Sequence, residues 1–152
     1  MDDVSAWVVE LRREFHRLPE PSWQEQRTAS RVEETLAALG IEARRSAGTG
    51  VVGRLRGSGP GKTVALRADM DALQQSERTG LDYASQNEGI MHACGHDAHT
   101  AALLGAARVL AAGRESLTGD VVFLFQPAEE LGAGARAMIE QGALNGVDAV
   151  FG

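Results

Sequence analysis

Hydrophobic and polar positions along this 152-residue chain repeat at helical spacing in some segments and form short apolar blocks in others. In the first segment Val8, Leu11 and Phe15 lie three or four residues apart with charged residues between them, the pattern of an amphipathic helix. Pro19 is expected to end that helix. The whole pattern predicts helices at 4–17, 22–39, 97–112 and 135–141 and strands at 41–45, 51–56, 63–69, 121–125 and 147–151.

Caps and turns separate the predicted elements. Ser22 and Glu25 have the spacing of a capping box, with Ser at the N-cap and Glu at N3, and Gly40 is suited to end that helix. Trp23 is then expected on the apolar face of the helix. The glycine-rich segment 57–61 lacks the residue order of a phosphate-binding loop, so we expect a plain hairpin turn there.

The most apolar segments indicate which elements are buried. Residues 121–125 form a continuous apolar run, typical of a central strand covered on both faces. The helix at 97–112 is mostly Ala and Leu, typical of a buried helix. Residues 72–90 follow neither period and are expected to form a long surface connection, which often serves a function. Helix and strand signals alternate, which predicts an α/β fold: a layered αβα domain with a mixed, largely parallel central sheet.

Composition and charge limit the class of protein. Apolar residues make up 43% and charged residues 24% of the chain, and the net charge is −6, which favours a globular domain with its own core. The acidic balance and the lack of any Lys/Arg run argue against nucleic acid as a partner. No apolar run is long enough to span a membrane, and the acidic start at residues 1–3 does not resemble a signal peptide. A single cysteine fits a reducing, cytoplasmic compartment.

The segment 91–100 concentrates the side chains best suited to bind a metal. It holds the only cysteine, Cys94, and three of the four histidines. If the segment is extended, Cys94 and His96 point to the same side, and Gly95 lets the backbone approach closely. A thiolate with an imidazole suits zinc, or manganese if carboxylates complete the ligand set. A buried structural cysteine beside a histidine-capped helix is the alternative.

Acidic side chains follow two of the predicted strands. Asp69 and Asp71 lie at the carboxyl end of one strand, where sites form in open α/β sheets, although either could instead cap a turn. Glu129 and Glu130 follow the most apolar strand, and in an extended segment their side chains would diverge. One carboxylate could then bind a metal while the other takes a proton from the attacking water and passes it to the leaving amine. This division of roles is the one that a metallohydrolase needs.

A cysteine nucleophile is the competing chemistry. Cys94 stands at the start of a helix with histidines nearby, an arrangement that could activate its thiolate. This alternative gives Glu129 and Glu130 no role, and it needs an orienting residue that the sequence does not identify. The metal-dependent interpretation is therefore favoured.

Three long motifs stand out by their order and spacing. They are Leu-Arg-Ala-Asp-Met-Asp-Ala-Leu at 66–73, Met-His-Ala-Cys-Gly-His-Asp-Ala-His-Thr-Ala at 91–101 and Phe-Gln-Pro-Ala-Glu-Glu at 125–130. Together they resemble the metallo-aminoacylase family, which includes hippurate hydrolases, bacterial N-acyl-amino-acid amidohydrolases and plant auxin-conjugate hydrolases. Residues 15–20 also resemble the N-terminal signature of that family. Several motifs in one order are far more specific than any one of them alone.

The resemblance implies a metal-dependent amidohydrolase that converts a small N-acyl amino acid into a carboxylate and a free amino acid. It implies two divalent metal ions, manganese or zinc, with Cys94, His96 and Glu130 as ligands. It also implies that Glu129 is the general base and that Asp69 is an active-site aspartate that orients a site residue. Three further residues lie in the same motifs without an assigned role: His92, Asp97 and His99.

The resemblance further implies that the chain is incomplete relative to the catalytic domain of the family. Family members carry more metal-binding histidines and an inserted dimerisation domain, so residues 1–152 are expected to form the N-terminal part of that domain, and the full-length protein is a candidate homodimer. Gln74 departs from the family, which commonly has proline there. A catalytically silent fragment, with at most structural metal binding or a partner role, is the alternative function.

Overall fold

The computed structural model describes residues 4–152, so the acidic start at residues 1–3 lies outside the described residues. Its helices are α1 (Val4–Arg17), α2 (Gln26–Ala38), α3 (His96–Ala112) and α4 (Gly134–Glu140), with a 3₁₀ turn at Arg114–Ser116. Its strands are β1 (Glu42–Ser46), β2 (Gly50–Leu55), β3 (Val64–Asp69), β4 (Val121–Gln126) and β5 (Ala149–Phe151). Every predicted helix and strand is present. Within the described range, no helix is long and apolar enough to cross a membrane.

The five strands form one sheet in the order β1-β2-β4-β3-β5. Both neighbours of β2, which are β1 and β4, pair with it antiparallel. Both neighbours of β3, which are β4 and β5, pair with it parallel. The sheet is therefore mixed, as predicted, with its pairings divided equally between the two orientations. The central position of β4, which is buried at all but its first residue, confirms what its apolar sequence indicated.

Helices cover both faces of the sheet and give the predicted αβα layers. Phe123 and Phe125 of β4 face the larger core, which α1, α2 and α3 complete. Val122 and Leu124 face the opposite side, where a smaller core forms against Met138 of α4. Alternate residues of a strand point to opposite faces, so a strand buried on both sides has to be apolar throughout.

The capping box predicted for α2 is wrong. Ser22 Oγ donates a hydrogen bond to Asp71 at 2.6 Å, not to the end of the helix. Trp23 lies before α2 with a φ of +65° and is 39% exposed, so it does not belong to the apolar face of the helix. The carboxylate of Glu20 instead accepts hydrogen bonds from backbone N–H groups of the first turn, at 3.0 and 2.8 Å. The local pattern failed because the tertiary structure offers Ser22 a charged partner, which binds a hydroxyl more strongly.

The glycine-rich loop at 57–61 is not the predicted hairpin turn. It joins β2 to β3, and β4 lies between these strands in the sheet, so the loop has to pass the end of β4. A Cβ atom at Gly57 or Gly61 would overlap the backbone carbonyls at Gly119 and Thr118. Close packing of two loops therefore requires the glycines.

The segments that carry candidate functional residues meet at the carboxyl ends of β3 and β4. β3 and β4 run parallel, so their carboxyl ends at Asp69 and Gln126 lie side by side. The pairing continues beyond the strands, because the backbone N–H of Met70 donates to the carbonyl of Gln126 at 2.9 Å. The irregular connection predicted at 72–90 is confirmed, and it leads back to the same strand ends at the start of α3.

Candidate metal centre

His96, the first residue of α3, lies at the centre of the candidate site and is 2% exposed. Its Nδ1 atom lies 2.8 Å from the backbone oxygen of Asp71. Its Nε2 atom lies 3.6 Å from Asp69, 3.7 Å from Glu129 and 3.8 Å from Glu130, each measured to a carboxylate oxygen. The acidic strand ends and the Cys/His segment, which are far apart in the sequence, therefore meet at one imidazole.

The carboxylate of Asp71 holds the turn that carries the two glutamates. Its Oδ1 accepts a hydrogen bond from the backbone N–H of Glu129 at 3.0 Å, and its Oδ2 accepts one from that of Glu130 at 3.1 Å. Burial by itself would raise the pKa of Asp71, but hydrogen bonds from His96, Ser22 and these two N–H groups lower it to about 2. Asp71 is therefore ionised at physiological pH and fixes the backbone of both glutamates.

The electrostatics at His96 favour a cation. Burial alone would lower the pKa of His96, whereas its hydrogen bond with Asp71 and the negative charge of Asp69 raise it to about 9. Several carboxylates therefore surround this one imidazole. A proton and a metal ion compete for the same Nε2 lone pair, so surroundings that retain a proton this strongly also attract a divalent cation.

Cys94, His96 and Glu130 each offer one ligand atom, and these three atoms lie within 4.8 Å of one another. Sulfur, nitrogen and carboxylate oxygen are all zinc ligands. The Oε1 atom of Glu130 is buried and makes no hydrogen bond with any residue in the described range. A buried carboxylate oxygen without a partner is costly unless a ligand satisfies it. The donor set therefore fits a divalent metal ion.

The surroundings of Cys94 do not favour a nucleophile. Its thiol is free and exposed. Partial burial and then the negative charges of Glu130, Glu129 and Asp69 raise its pKa. A raised pKa keeps a thiol protonated and unreactive, the reverse of what nucleophilic catalysis needs. A bound metal ion would instead favour the thiolate.

Glu129 and Glu130 lie in a tight turn, so the extended segment predicted for them is wrong. Ala128 before them has a φ of +47°, and its N–H donates to the fully buried carboxylate of Glu25 at 2.9 Å. The side chains consequently converge on His96 instead of diverging. They differ in access to solvent: the side chain of Glu129 is 40% exposed and that of Glu130 is 22% exposed.

The geometry predicted for the Cys-x-His segment is also wrong in detail. Gly95 has a φ of +112° and is the N-cap of α3, a conformation that glycine adopts without steric cost. Cys94 and His96 are therefore separated by a sharp turn and not by the alternation of an extended strand. Their ligand atoms still meet, because the turn brings both toward Glu130.

A second group of possible ligands consists of Asp69, His96 and His99, whose ligand atoms also lie within 4.8 Å of one another. Asp69 Oδ1 lies 2.8 Å from His99 Nδ1, and Asp69 Oδ2 accepts a hydrogen bond from Arg67 at 2.7 Å. The backbone oxygen of Asp69 accepts another from Thr100 Oγ1 at 2.8 Å. The imidazole that contacts Asp69 most closely is thus His99, whose side chain is 56% exposed.

Three residues take part in this site more directly than the sequence indicated: Ser22, Asp71 and His99. Asp71 carried one signal, its position two residues after Asp69 beyond a buried strand, but nothing separated it from a turn cap. The partners of Ser22 and His99 lie 49 and 30 residues away along the chain. No local pattern predicts such contacts.

The chain is similar to proteins of one family. The sequence model of peptidase family M20/M25/M40 matches residues 65–152, a range that contains all the candidate ligands. The crystal structure of the YXEP protein of Bacillus subtilis, a dinuclear metal-binding peptidase of the M20 family, has a TM-score of 0.96 and is 44% identical. That match covers 100% of this chain and 43% of the YXEP chain.

Curated relatives include amidohydrolases and a carboxypeptidase. Thermostable carboxypeptidase 1 of Saccharolobus solfataricus is 51% identical, with 99% of this chain and 39% of that protein covered. N-acetyl-L-cysteine deacetylase of Bacillus subtilis is 51% identical, with 100% and 37% covered. N-acyl-L-amino acid amidohydrolase of Geobacillus stearothermophilus is 48% identical, with 100% and 42% covered. The chain therefore spans about two fifths of the length of these relatives, and their names agree with the resemblance seen in the motifs.

Proposed function

Because the chain belongs to peptidase family M20/M25/M40, we propose that it forms part of the catalytic centre of a metal-dependent amidohydrolase. The proposed reaction is hydrolysis of the amide bond of an N-acyl amino acid, which gives a carboxylate and a free amino acid. One observation carries the proposal: the ligand atoms of Cys94, His96 and Glu130 lie within 4.8 Å of one another, beside the carboxylate of Glu129.

Cys94, His96 and Glu130 would hold a divalent metal ion. Three protein ligands leave coordination positions open for water and substrate, as catalytic sites require. When bound, the cation supplies Lewis acidity, which polarises the scissile carbonyl and acidifies a water molecule. We propose two such ions, manganese or zinc, in the whole protein; the dinuclear YXEP protein supports the number.

Glu129 would move the proton in this reaction. Its carboxylate is the more exposed of the adjacent pair, and its backbone is held by Asp71. It would accept a proton from the water that attacks the amide carbon, and deliver that proton to the amine nitrogen as the C–N bond breaks. Asp69 would act indirectly, by orienting His99 and His96.

Two substrate classes are represented among the relatives. The amidohydrolase and deacetylase among the relatives support N-acyl amino acids. The carboxypeptidase supports peptides cleaved at the last amide bond. Both substrates present an amide next to an amino acid carboxylate, so one centre suits either. We favour N-acyl amino acids because the three sequence motifs resemble aminoacylases.

The compartment and the partners of the protein are proposed from its cysteine, its net charge and its family resemblance. We propose that the protein works in the cytoplasm, since its cysteine is a free, exposed thiol and such thiols persist in reducing compartments. Its partner is a small-molecule substrate, because a net charge of −6 disfavours nucleic acid. The full-length form is proposed to be a homodimer, on the strength of the family resemblance.

Metal analysis combined with a substrate panel tests the proposal. The panel contains N-acetyl and N-benzoyl amino acids and dipeptides, applied to the 152-residue chain and to a longer coding product that contains it. We expect bound manganese or zinc, and hydrolysis of the N-acyl amino acids that a chelator abolishes and added metal restores. Hydrolysis that resists chelation but is lost on thiol alkylation would support the cysteine nucleophile instead. Metal binding without hydrolysis in either form would support the silent fragment.

Two adjacent variants with the same chemical change separate the roles of the glutamates. Glu129→Gln should keep metal affinity and lower turnover by about 10²- to 10⁴-fold, because the proton carrier is lost. Glu130→Gln should weaken metal affinity, because an amide oxygen is a poorer ligand than a carboxylate. Normal turnover in Glu129→Gln would remove that residue from its proposed role.

A further inference from the structure

Behind the candidate metal centre, a buried polar network connects α1 to the first turn of α3. Asp97 directly follows His96 in the sequence, and its side chain is 0% exposed. Asp97 Oδ2 accepts a hydrogen bond from Arg12 Nε at 2.7 Å and lies 2.7 Å from His16 Nδ1. Asp97 Oδ1 is buried and has no hydrogen-bond partner among residues 4–152. Two side chains of α1 therefore fix the position of this carboxylate.

The connection between β3 and α3 joins the same network. His16 Nε2 lies 3.3 Å from a carboxylate oxygen of Glu77, and the other oxygen of Glu77 accepts the backbone N–H of Ser85 at 2.6 Å. Arg12 also donates to the hydroxyl of Tyr83 at 3.1 Å. Arg12 and His16 thus contact both the helix that begins with His96 and the loop that leads to it.

Attachment of α1 to α3 does not require this network. The two helices already approach closely, since a Cβ atom at Gly105 would lie 2.6 Å from Val8 Cγ2. Leu11 and Leu104 join the helices again in the larger core. Buried charge networks cost desolvation free energy and add little net stability over apolar contacts. The network centres on Asp97, the residue next to His96, and this position points to a different role.

We infer that Arg12 and His16 are positioning residues for the candidate metal centre. By fixing Asp97 they fix the first turn of α3, and with it the ligand atoms of His96 and Cys94. Neither residue touches a candidate ligand, so the effect passes through Asp97 and the backbone. The inference rests on the proposed metal binding. Removal of groups that orient metal ligands typically weakens affinity about 10- to 100-fold.

Cobalt titration of the 152-residue chain tests the inference without any need for turnover. Arg12→Met removes the charge and the hydrogen bonds but keeps a long side chain. We expect its cobalt affinity to fall about 10- to 100-fold and the visible absorption bands of the thiolate-bound cobalt to change. Arg12→Lys, which retains a charge near Asp97, should recover part of both signals.

Arg31→Met is a matched control. Arg31 also anchors α1, through an ion pair with Glu14 at 2.9 Å, and its side chain is 34% exposed against 33% for Arg12. We expect wild-type cobalt affinity in this variant, and thermal unfolding of both variants separates lost stability from lost affinity. The inference fails if Arg12→Met binds cobalt like the wild type, or if Arg31→Met weakens binding as much at the same loss of stability.

A second readout separates this inference from the proposed function. If the wild-type chain does not bind cobalt, the proposed metal centre is wrong, but the NMR signal of the His96 ring still reports its position. Arg12→Met should shift the His96 Cε1–H signal, and Arg31→Met should leave it in place. An unchanged His96 signal in Arg12→Met would overturn the positioning role whatever the metal result.

Discussion

At the scale of single residues, Asp71 shows why the candidate site needs a carboxylate where an amide of the same shape would fit. Its Oδ1 accepts from the N–H of Glu129, and its Oδ2 accepts from the N–H of Glu130 and from Ser22. In Asp71→Asn, one oxygen becomes an NH₂ group that faces a donor. We expect the free energy of unfolding to fall by about 1–3 kcal/mol, the cost of an unpaired buried donor, as measured by urea denaturation.

Asp82→Asn provides the control for that substitution, because Asp82 is exposed and the same loss of charge there should change stability little. Equal stability of Asp71→Asn and the wild type would show that the turn at the glutamates does not depend on Asp71. A loss of stability in both variants would assign the effect to net charge.

Individual residues were predictable where their chemistry is unusual. Cys94 and His96 could be predicted as a pair because a thiol and an imidazole stand two residues apart before a predicted helix, and the motif resemblance added Glu130; the structure brings the ligand atoms of all three together. Ser22 was misassigned because a capping box is a local pattern, whereas its partner Asp71 lies 49 residues away. The sequence shows which side chains could bind a metal, but it does not show the hydrogen bonds that orient them.

At the scale of elements, the N-terminus of α2 depends on Glu20 and not on the predicted Ser22. The carboxylate of Glu20 accepts the N–H of Arg27 at 3.0 Å and both the N–H and the hydroxyl of Thr28, at 2.8 and 2.9 Å. These donors have no partner inside the helix. Glu20→Ala should therefore lower the free energy of unfolding by about 1 kcal/mol, the usual value of a helix cap, as measured by chemical denaturation.

The control lies on the same helix. Glu34 of α2 is exposed, and Glu34→Ala removes a carboxylate without removing a cap. It should leave stability within about 0.5 kcal/mol of the wild type. If Glu34→Ala and Glu20→Ala destabilise the chain equally, the capping role of Glu20 is wrong.

Asp120, directly before β4, links that strand to β2 and to the loop that follows β2, and it should make stability depend on pH. It pairs with Arg54 of β2 at 2.8 Å and accepts the backbone N–H of Gly57 at 3.1 Å. The hydrogen bond from Arg54 lowers the pKa of Asp120 in the folded state. A carboxyl group with a lowered pKa stabilises the fold above its unfolded pKa, near 4, and loses that contribution as the pH falls further.

We therefore expect Asp120→Asn to be less stable than the wild type by about 1 kcal/mol at neutral pH. The difference should shrink as the pH is lowered below about 4, where the wild-type carboxyl group is also protonated. Urea denaturation of both proteins across this pH range measures the difference directly. A difference that is constant or that grows on acidification would contradict the assignment.

Elements were easier to predict than their arrangement. The apolar run at 121–125 located β4, because burial on two faces demands an apolar sequence, whereas β1 and β5 are largely exposed and were located by the turns and helices beside them. The order of the strands could not be predicted, since nothing in the loop at 57–61 indicates whether it joins neighbours or passes β4. Likewise the turn at Ala128 depends on a hydrogen bond with Glu25, which lies 103 residues away along the chain.

At the scale of the whole molecule, the candidate ligands connect segments that are distant in sequence. Cys94 and His96 precede and begin α3, whereas Glu130 follows β4. A metal ion bound by all three would bind the folded chain and not the separated segments of the unfolded chain. Such a ligand raises stability by about 2.7 kcal/mol at a free concentration one hundred times its dissociation constant. We therefore expect manganese or zinc to raise the melting temperature by about 5–10 °C, and EDTA to reverse the rise.

Cys94→Ser decides whether that rise comes from the proposed centre. Cys94 is exposed, so its replacement should leave the metal-free melting temperature nearly unchanged, while a serine hydroxyl is a much weaker ligand than a thiolate. The metal-dependent rise should therefore shrink in Cys94→Ser, and differential scanning fluorimetry across a metal titration would show it. An equal rise in both proteins would place the bound metal elsewhere on the chain. No rise in the wild type at saturating metal would mean that the folded arrangement of ligands does not select a cation, and the two segments would then meet for packing alone.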